Sequence, residues 1–326
     1  IKQINKLYNT FNSSIKEYNY KGNFNALFPL KVNQLPNFLH PMLKDSKDLN
    51  YGLEAGSKAE LLLAMAYNNP KAPITINGFK DKDMITLGFI AKQQGHDITL
   101  ILEGINELET IIEVHNKLNL PIPKIGLRVR LHSGGSGVWA KSAGINSKFG
   151  LSATEILDAY EMMKKNKIIN NFTMIHFHIG SAMKTIAPLK KALKESGHIY
   201  AQLKKLGATK LKAINIGGGL GIEYSQTENI NEYSLLEFSN DVIFTLQTIS
   251  KNKKVEEPNI FIESGRFISA SNSVLIVPVI ELFSNDYNES SLRLKDKNPD
   301  IITELFALYS DINKNIRLDS LKCFYH

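Results

Sequence analysis

The 326-residue chain has one cysteine, Cys323, and one tryptophan, Trp139. A single cysteine excludes an internal disulfide framework and a cysteine-based zinc site, and it fits a reducing, cytoplasmic setting. No apolar run approaches the roughly 18 residues of a membrane span, and no signal peptide opens the chain, so no membrane partner is expected. Massed charge is lacking too. The formal charge is +7, but lysines fall in short pairs mixed with acids, as in Glu161-Met162-Met163-Lys164-Lys165. That is a solvated surface. A nucleic-acid binder would cluster Lys and Arg with interleaved aromatics, and is not expected. The ends lack terminators. Ile1 to Tyr8 reads as the middle of an amphipathic helix with no N-cap, and the chain closes on a largely apolar run, Leu321 to His326. The expectation is a fragment or excised domain.

What is present is an ordinary globular composition, 43% hydrophobic and 22% charged. The length is long for one sandwich and normal for an α/β barrel with extra material. Short apolar or β-branched runs predict strands near 25–31, 50–54, 73–77, 97–102, 124–131, 172–177, 211–216 and 259–262. Helical periodicity falls between them, near 57–66, 82–94, 105–118, 153–166, 186–206 and 232–251. Ser57 and Glu60 have the spacing of a capping box. Eight such alternations are what a (β/α)8 TIM barrel requires, and no Rossmann fingerprint follows the first strand, which disfavours an open doubly wound sheet. The barrel is assigned to residues 1–270, and 271–326 to the start of an incomplete C-terminal β/helical region. In that tail 273–283 reads as another strand and 295–311 as a charged helix.

Barrels place chemistry at the C-terminal ends of their strands. Unusual polar residues stand there: Lys31, Glu54, Asn77, Arg128 and Arg130, His176 and His178, the run Gly217-Gly218-Gly219, and then Glu263 and Arg266. Lys31 closes an apolar run. Desolvation there would lower its pKa and free a neutral amine to form a Schiff base. Taken alone it is equally an exposed lysine at a strand-to-loop junction. Three glycines let backbone N–H groups face an anion closely, and Arg266 supplies a bidentate cation to the same phosphate. Alone they are a tight turn. His178 alone is a structural histidine, and Glu263 alone a surface carboxylate. Together a phosphate cradle, an amine, a carboxylate for a ring nitrogen and an imidazole to stack on the ring describe a pyridoxal phosphate site.

The ordered segments Phe28-Pro29-Leu30-Lys31-Val32-Asn33-Gln34, Gly52 to Leu61, Asn77-Gly78-Phe79-Lys80-Asp81, Ser147 to Leu151, His176 to Ser181, Gly217 to Gly221 and Glu263-Ser264-Gly265-Arg266 carry a resemblance. The chain resembles the barrel-type, alanine-racemase-like pyridoxal-phosphate decarboxylases of fold type III, and most of all the biosynthetic arginine decarboxylases. The Asn77 to Asp81 segment and the loop Ser133 to Trp139 point to the arginine branch. The resemblance implies that Lys31 is the Schiff-base lysine, His178 stacks on the cofactor and Glu263 pairs with the ring nitrogen; these three form the catalytic set. Ser181, Gly217, Gly218, Gly219 and Arg266 would hold the phosphate, with Glu54 beside the lysine and Arg128 near the cofactor. Asn215, Gly221 and Glu223 would line the substrate site. Magnesium and a homodimer or homotetramer with shared active sites are implied by the resemblance alone; no carboxylate cluster marks a metal site.

There are departures. The family commonly has aspartate where Asn215 and Glu223 stand, which weakens the charge offered to a guanidinium or moves it elsewhere. The family's C-terminal Cys-Asp motif, which protonates the decarboxylated carbon from the partner subunit, is not found, and Cys323, followed by Phe324, is read as structural. The expected reaction is α-decarboxylation of L-arginine to agmatine and CO2, feeding polyamine synthesis. The alternatives are a decarboxylase of diaminopimelate, ornithine or carboxynorspermidine, and a non-catalytic pyridoxal phosphate carrier.

Overall fold

In the computed structural model of the chain, the residues described are 1–132, 147, 149–222, 232–270, 276–281 and 298–314. The apolar runs become eight short strands: β1 Phe24–Pro29, β2 Gly52–Ala55, β3 Pro73–Ile76, β4 Asp97–Leu102, β5 Lys124–Arg128, β6 Phe172–His176, β7 Ala213–Asn215 and β8 Asn259–Glu263. All pair in parallel, each with the next. β1 returns to β8 with Leu27 opposite Glu263, which closes the barrel. β2 and β3 are buried along their whole length, as parallel strands covered on both faces require.

The helices are α1 Lys2–Glu17, α2 Pro36–Asp45, α3 Lys58–Tyr67, α4 Lys82–Gln93, α5 Ile105–Leu118, α6 Ala153–Lys165, α7 Ala187–Lys205, α8 Leu235–Lys253 and the short α9 Arg266–Ser269. The (β/α)8 barrel expected from the alternation is therefore what the chain forms. α1 has no side-chain N-cap and is held by packing instead. Ile4, Leu7, Tyr8 and Phe11, spaced one turn apart, are buried. The Phe11 ring stacks on Phe24 at 4.0 Å, and Ser14 meets Ser239 of α8 at 2.7 Å. Each buried aromatic contributes roughly 1.5–3 kcal/mol.

Some local expectations need correction. The first strand stops at Pro29, and Lys31 sits in a single 3-10 turn, Leu30–Val32. The ring of Pro29 has no N–H for a ladder, which favours ending the strand there. The fifth strand stops at Arg128, because the next residues turn to bond Gly150 and Leu151. Helix α2 had no counterpart in the sequence reading; Pro36 occupies its first turn, where no N–H is needed. The capping box at Ser57 is shifted: Ser57 accepts the Glu60 N–H, but Glu60 accepts from Gly56 rather than from Ser57. Complete boxes occur at Ser152/Glu155 and Ser234/Glu237.

By its contacts the chain divides into two compact units, Ile1–Ser273 and Val274–His326. In the second, residues 276–281 belong to no strand, and Ile276 and Ile280 are exposed. The strand expected over 273–283 is not formed at these positions, since a strand needs a paired neighbour; its remaining residues lie outside the described ones. Helix α10, Asp300–Lys314, covers much of the stretch read as helical. Among the described residues no helix is long and apolar enough to cross a membrane.

Candidate functional site

Barrel closure makes neighbours of residues that are remote in sequence. Register sets Pro29 opposite Glu54, Leu27 opposite Glu263, Arg128 opposite His176, and His176 opposite Asn215. Above them a cavity of about 210 Å³ is lined by Lys31, His178, Ser181, Gly218, Glu263 and Arg266, among others. Gly219 lines it as well.

Glu263 is 7% exposed. Its Oε1 accepts from the amides of Asn77 and Asn215, both at 2.9 Å, and lies 3.4 Å from His176 Nε2. Burial pushes this carboxyl's pKa up, but the neighbouring His176 imidazole, the Lys31 charge and the Asn77 amide bond outweigh burial and hold it well below the usual range. Glu54 goes the other way. It is fully buried, and neither oxygen finds a hydrogen-bond donor. Burial first, then the Glu263 charge, raises its pKa to about 7, although Lys31 Nζ stands 3.7 Å away. Two neighbouring carboxylates thus divide the roles: Glu263 stays ionised, and Glu54 takes up a proton near neutrality.

Lys31 corrects the expectation of an amine with a lowered pKa. Its side chain is 63% exposed. Burial lowers its pKa, but the charges of Glu54, Glu263 and Glu60 overcome that and raise it. The amine is held protonated by carboxylates rather than neutralised by apolar surroundings. His178 is lowered to about 4, by burial first and then by the cations Arg128 and Lys31. Its Nδ1 accepts the Gly218 N–H at 3.1 Å, so the neutral ring carries its proton on Nε2.

The glycine run is demanded by the protein itself, not only by an anion's approach. Gly217 has φ +68°, and a Cβ there would meet Phe177 O at 2.4 Å. A Cβ on Gly218 would meet Glu263 O at 2.8 Å.

The other expected residues that the structure describes are not among those lining the cavity. Asn215 is wholly buried; its Nδ2 holds Glu263 and its Oδ1 accepts from Gly217 N–H. Its side chain is not among those lining the cavity. Gly221 N–H donates to Tyr233 Oη, which in turn donates to Met183 O, so Gly221 fastens a loop. Arg128 Nη1 is 2.8 Å from Glu103 Oε1, with its guanidinium 4.9 Å from the Phe149 ring. Glu223, Cys323 and most of the loop from Ser133 to Ser147 lie outside the described residues. Among the described residues no group of three or more His, Cys, Asp or Glu side chains could hold a metal ion, so the implied magnesium has no ligand set there. The supports from Asn77, His176 and Glu103 had no role assigned from the sequence; their position at or just after strand ends was the available signal.

The model of the family described as pyridoxal-dependent decarboxylase, pyridoxal binding domain, matches residues 1–270. The biosynthetic arginine decarboxylase of Bacteroides thetaiotaomicron is 36% identical over 98% of this chain and 51% of its own length. That of Prochlorococcus marinus strain MIT 9215 is 38% identical over 98% of this chain and 50% of its own. The crystal structure of the biosynthetic arginine decarboxylase from Campylobacter jejuni superposes with a TM-score of 0.79 at 55% identity, over 95% of this chain and 51% of that one. The chain spans about half the length of the curated relatives it matches. Barrel, cavity and sequence agree, and the chain belongs to the pyridoxal-dependent decarboxylases, whose pyridoxal-binding domain its first 270 residues constitute.

Proposed function

We propose that the protein decarboxylates L-arginine to agmatine and CO2 with pyridoxal phosphate, supplying polyamine synthesis. The observation that carries the chemistry is the convergence of Lys31, Glu263 and Arg266 on one cavity. The choice of arginine rests on the relatives, which are biosynthetic arginine decarboxylases.

The donor set fits the cofactor. An ionised carboxylate suits a protonated pyridine nitrogen, and all its protein contacts fall on one oxygen. A neutral imidazole offers a flat face. Ser181, Gly218, Gly219 and Arg266 would hold a phosphate at the other end of the cavity. When bound, pyridoxal phosphate supplies an aldehyde for amines and an electron-poor ring that accepts the electron pair left by departing CO2. Glu263 would keep that ring nitrogen protonated. Lys31 Nζ would hold the cofactor and then exchange with the substrate amine. To bond the cofactor's aldehyde Lys31 must first lose a proton, and Glu54, close by and titrating near neutrality, is suited to receive it and to return it when the substrate amine displaces the lysine. His178, neutral at pH 7, would shield one face of the ring from water without adding charge.

The same reading includes a cytoplasmic homodimer or homotetramer with shared sites, supported by exposed Val32 and Leu35 beside Lys31 and by exposed Phe79. Sedimentation with and without cofactor tests it. Lys31→Ala should abolish the visible absorbance that bound pyridoxal phosphate gains, with the circular dichroism unchanged; a retained band removes Lys31 from the role. CO2 release from arginine, offered beside ornithine, lysine and meso-diaminopimelate, tests the substrate. Release from another of these relocates the specificity, and release from none with cofactor bound leaves a carrier.

A further inference from the structure

Within the segment Asn77 to Asp81, Lys80 has no part in the reading above, yet its side chain is completely buried. Burying an ammonium costs several kcal/mol unless its donors are all used. Here they are. Nζ donates to Ile101 O at 2.6 Å and to Gly78 O, and stands 2.9 Å from Glu107 Oε2. Glu107 is equally occupied. Its Oε1 accepts the Lys80 N–H at 2.7 Å, and its Oε2 accepts the Glu103 N–H at 2.9 Å. Glu103, also buried, then presents Oε1 to Arg128 at 2.8 Å. On its other side Arg128 lies against Phe149, whose ring is 5.6 Å from that of Phe79, the residue before Lys80. The turn after β3 therefore holds Arg128 by two routes, one ionic and one aromatic.

We propose that Lys80 and Glu107 are positioning residues, whose buried ion pair sets Glu103, and through Glu103 the Arg128 guanidinium, at the edge of the candidate site. A clamp between the β3 and β4 loops would need only the bonds from Lys80 to Gly78 O and Ile101 O. The further links from Glu107 to Glu103 and from Glu103 to Arg128 lead toward the cavity. They end on a cation whose charge is felt at Lys31 and His178. Lys31 faces Glu54 of β2, Glu263 of β8 and Glu60 of α3, all of which favour its protonation; Arg128 of β5 opposes them. The proposal rests on the cofactor-site reading for its consequence, though not for its geometry.

The test uses the full chain, cofactor-free. In Glu107→Gln one side of the carboxamide is an NH2, which cannot accept from both Lys80 and Glu103. Removing the Glu107 charge acting directly on Lys31 would lower its pKa, whereas release of Arg128 raises it, so the sign of the change distinguishes the two routes. The readout is the pH profile of Lys31 acetylation, by competitive labelling and mass spectrometry, with His178 followed by NMR. The expected result is that the Lys31 half-labelling pH and the His178 midpoint both rise in Glu107→Gln, in the same direction as in Arg128→Met. Profiles that superimpose on wild type, with only Tm lowered, overturn the proposal, as does an Arg128→Met profile that does not move. Should Glu107→Gln fail to fold, Glu103→Gln, which keeps the backbone bond to Glu107 but loosens the charge on Arg128, must give the same rise. A Lys31→Ala variant that loses cofactor absorbance beside an unmoved Lys31 profile in Glu107→Gln would sink the positioning role and leave the cofactor reading standing.

Discussion

Replacing Glu54 with glutamine should alter how stability depends on pH. The wild-type carboxyl is fully buried, with both oxygens unpartnered, and its pKa rises from 4.5 to about 7 on folding. A raised folded pKa gives stability that is complete below the unfolded pKa and is lost as pH climbs through the folded one. The loss therefore runs from about pH 4.5 to about pH 7. At about 1.36 kcal/mol per pH unit the whole penalty is about 3 kcal/mol, of which about 2 kcal/mol falls between pH 5 and pH 7.5. Glutamine keeps the shape and has nothing to ionise. Its loss of the Lys31 contact matters little, because that amine is 63% exposed and 3.7 Å away. Urea unfolding of the cofactor-free protein at the two pH values is the assay. Relative to wild type, Glu54→Gln should gain about 2 kcal/mol on going to the higher pH. Parallel pH profiles for the two proteins would refute the reasoning that burial and Glu263 together force a proton onto Glu54.

Asn215→Leu removes a donor from ionised Glu263 and an acceptor from Gly217 N–H, and should lower stability by about 2–4 kcal/mol in urea. Glu263 is depressed below 4.5, so its contribution is present above that pH and lost as pH falls through the folded value; the variant should unfold at a higher pH in an acid titration. Gly217→Ala combines a left-handed φ with a contact at 2.4 Å to Phe177 O, and should cost at least about 2 kcal/mol. Gly95→Ala, at φ +94° with nothing within 4 Å of the new Cβ, should cost less and serves as the comparison in the same urea series.

The barrel was legible because parallel strands buried on both faces write themselves as compact Ile/Leu/Val runs, and the amphipathic helices between them keep their period. Strand-end chemistry was legible because position along a strand fixes height in a barrel: Lys31, His178, Glu263 and Arg266 do share one cavity. Roles set by pairing across the barrel were not. The family resemblance set Asn215 among the substrate-lining residues, and nothing in the sequence showed that its amide bonds Glu263 and Gly217. The Lys31 pKa was misjudged for the same reason, since Glu54, Glu60 and Glu263 reach it from three other elements. Helix α2 was not read from the sequence; it carries Pro36 in its first turn and Pro41 inside it, and a proline's effect depends on where a helix begins.

The closing register of Leu27 against Glu263 also orders events during synthesis. The amine at position 31 leaves the ribosome well over two hundred residues before the carboxylate and the arginine at 263 and 266. A nascent chain lacking β8 has an open β1 edge, with neither Glu263 nor Arg266 in place. Contacts of such long sequence separation form slowly. Completion of the cavity is therefore a late event, and a product that stops before β8 cannot close it.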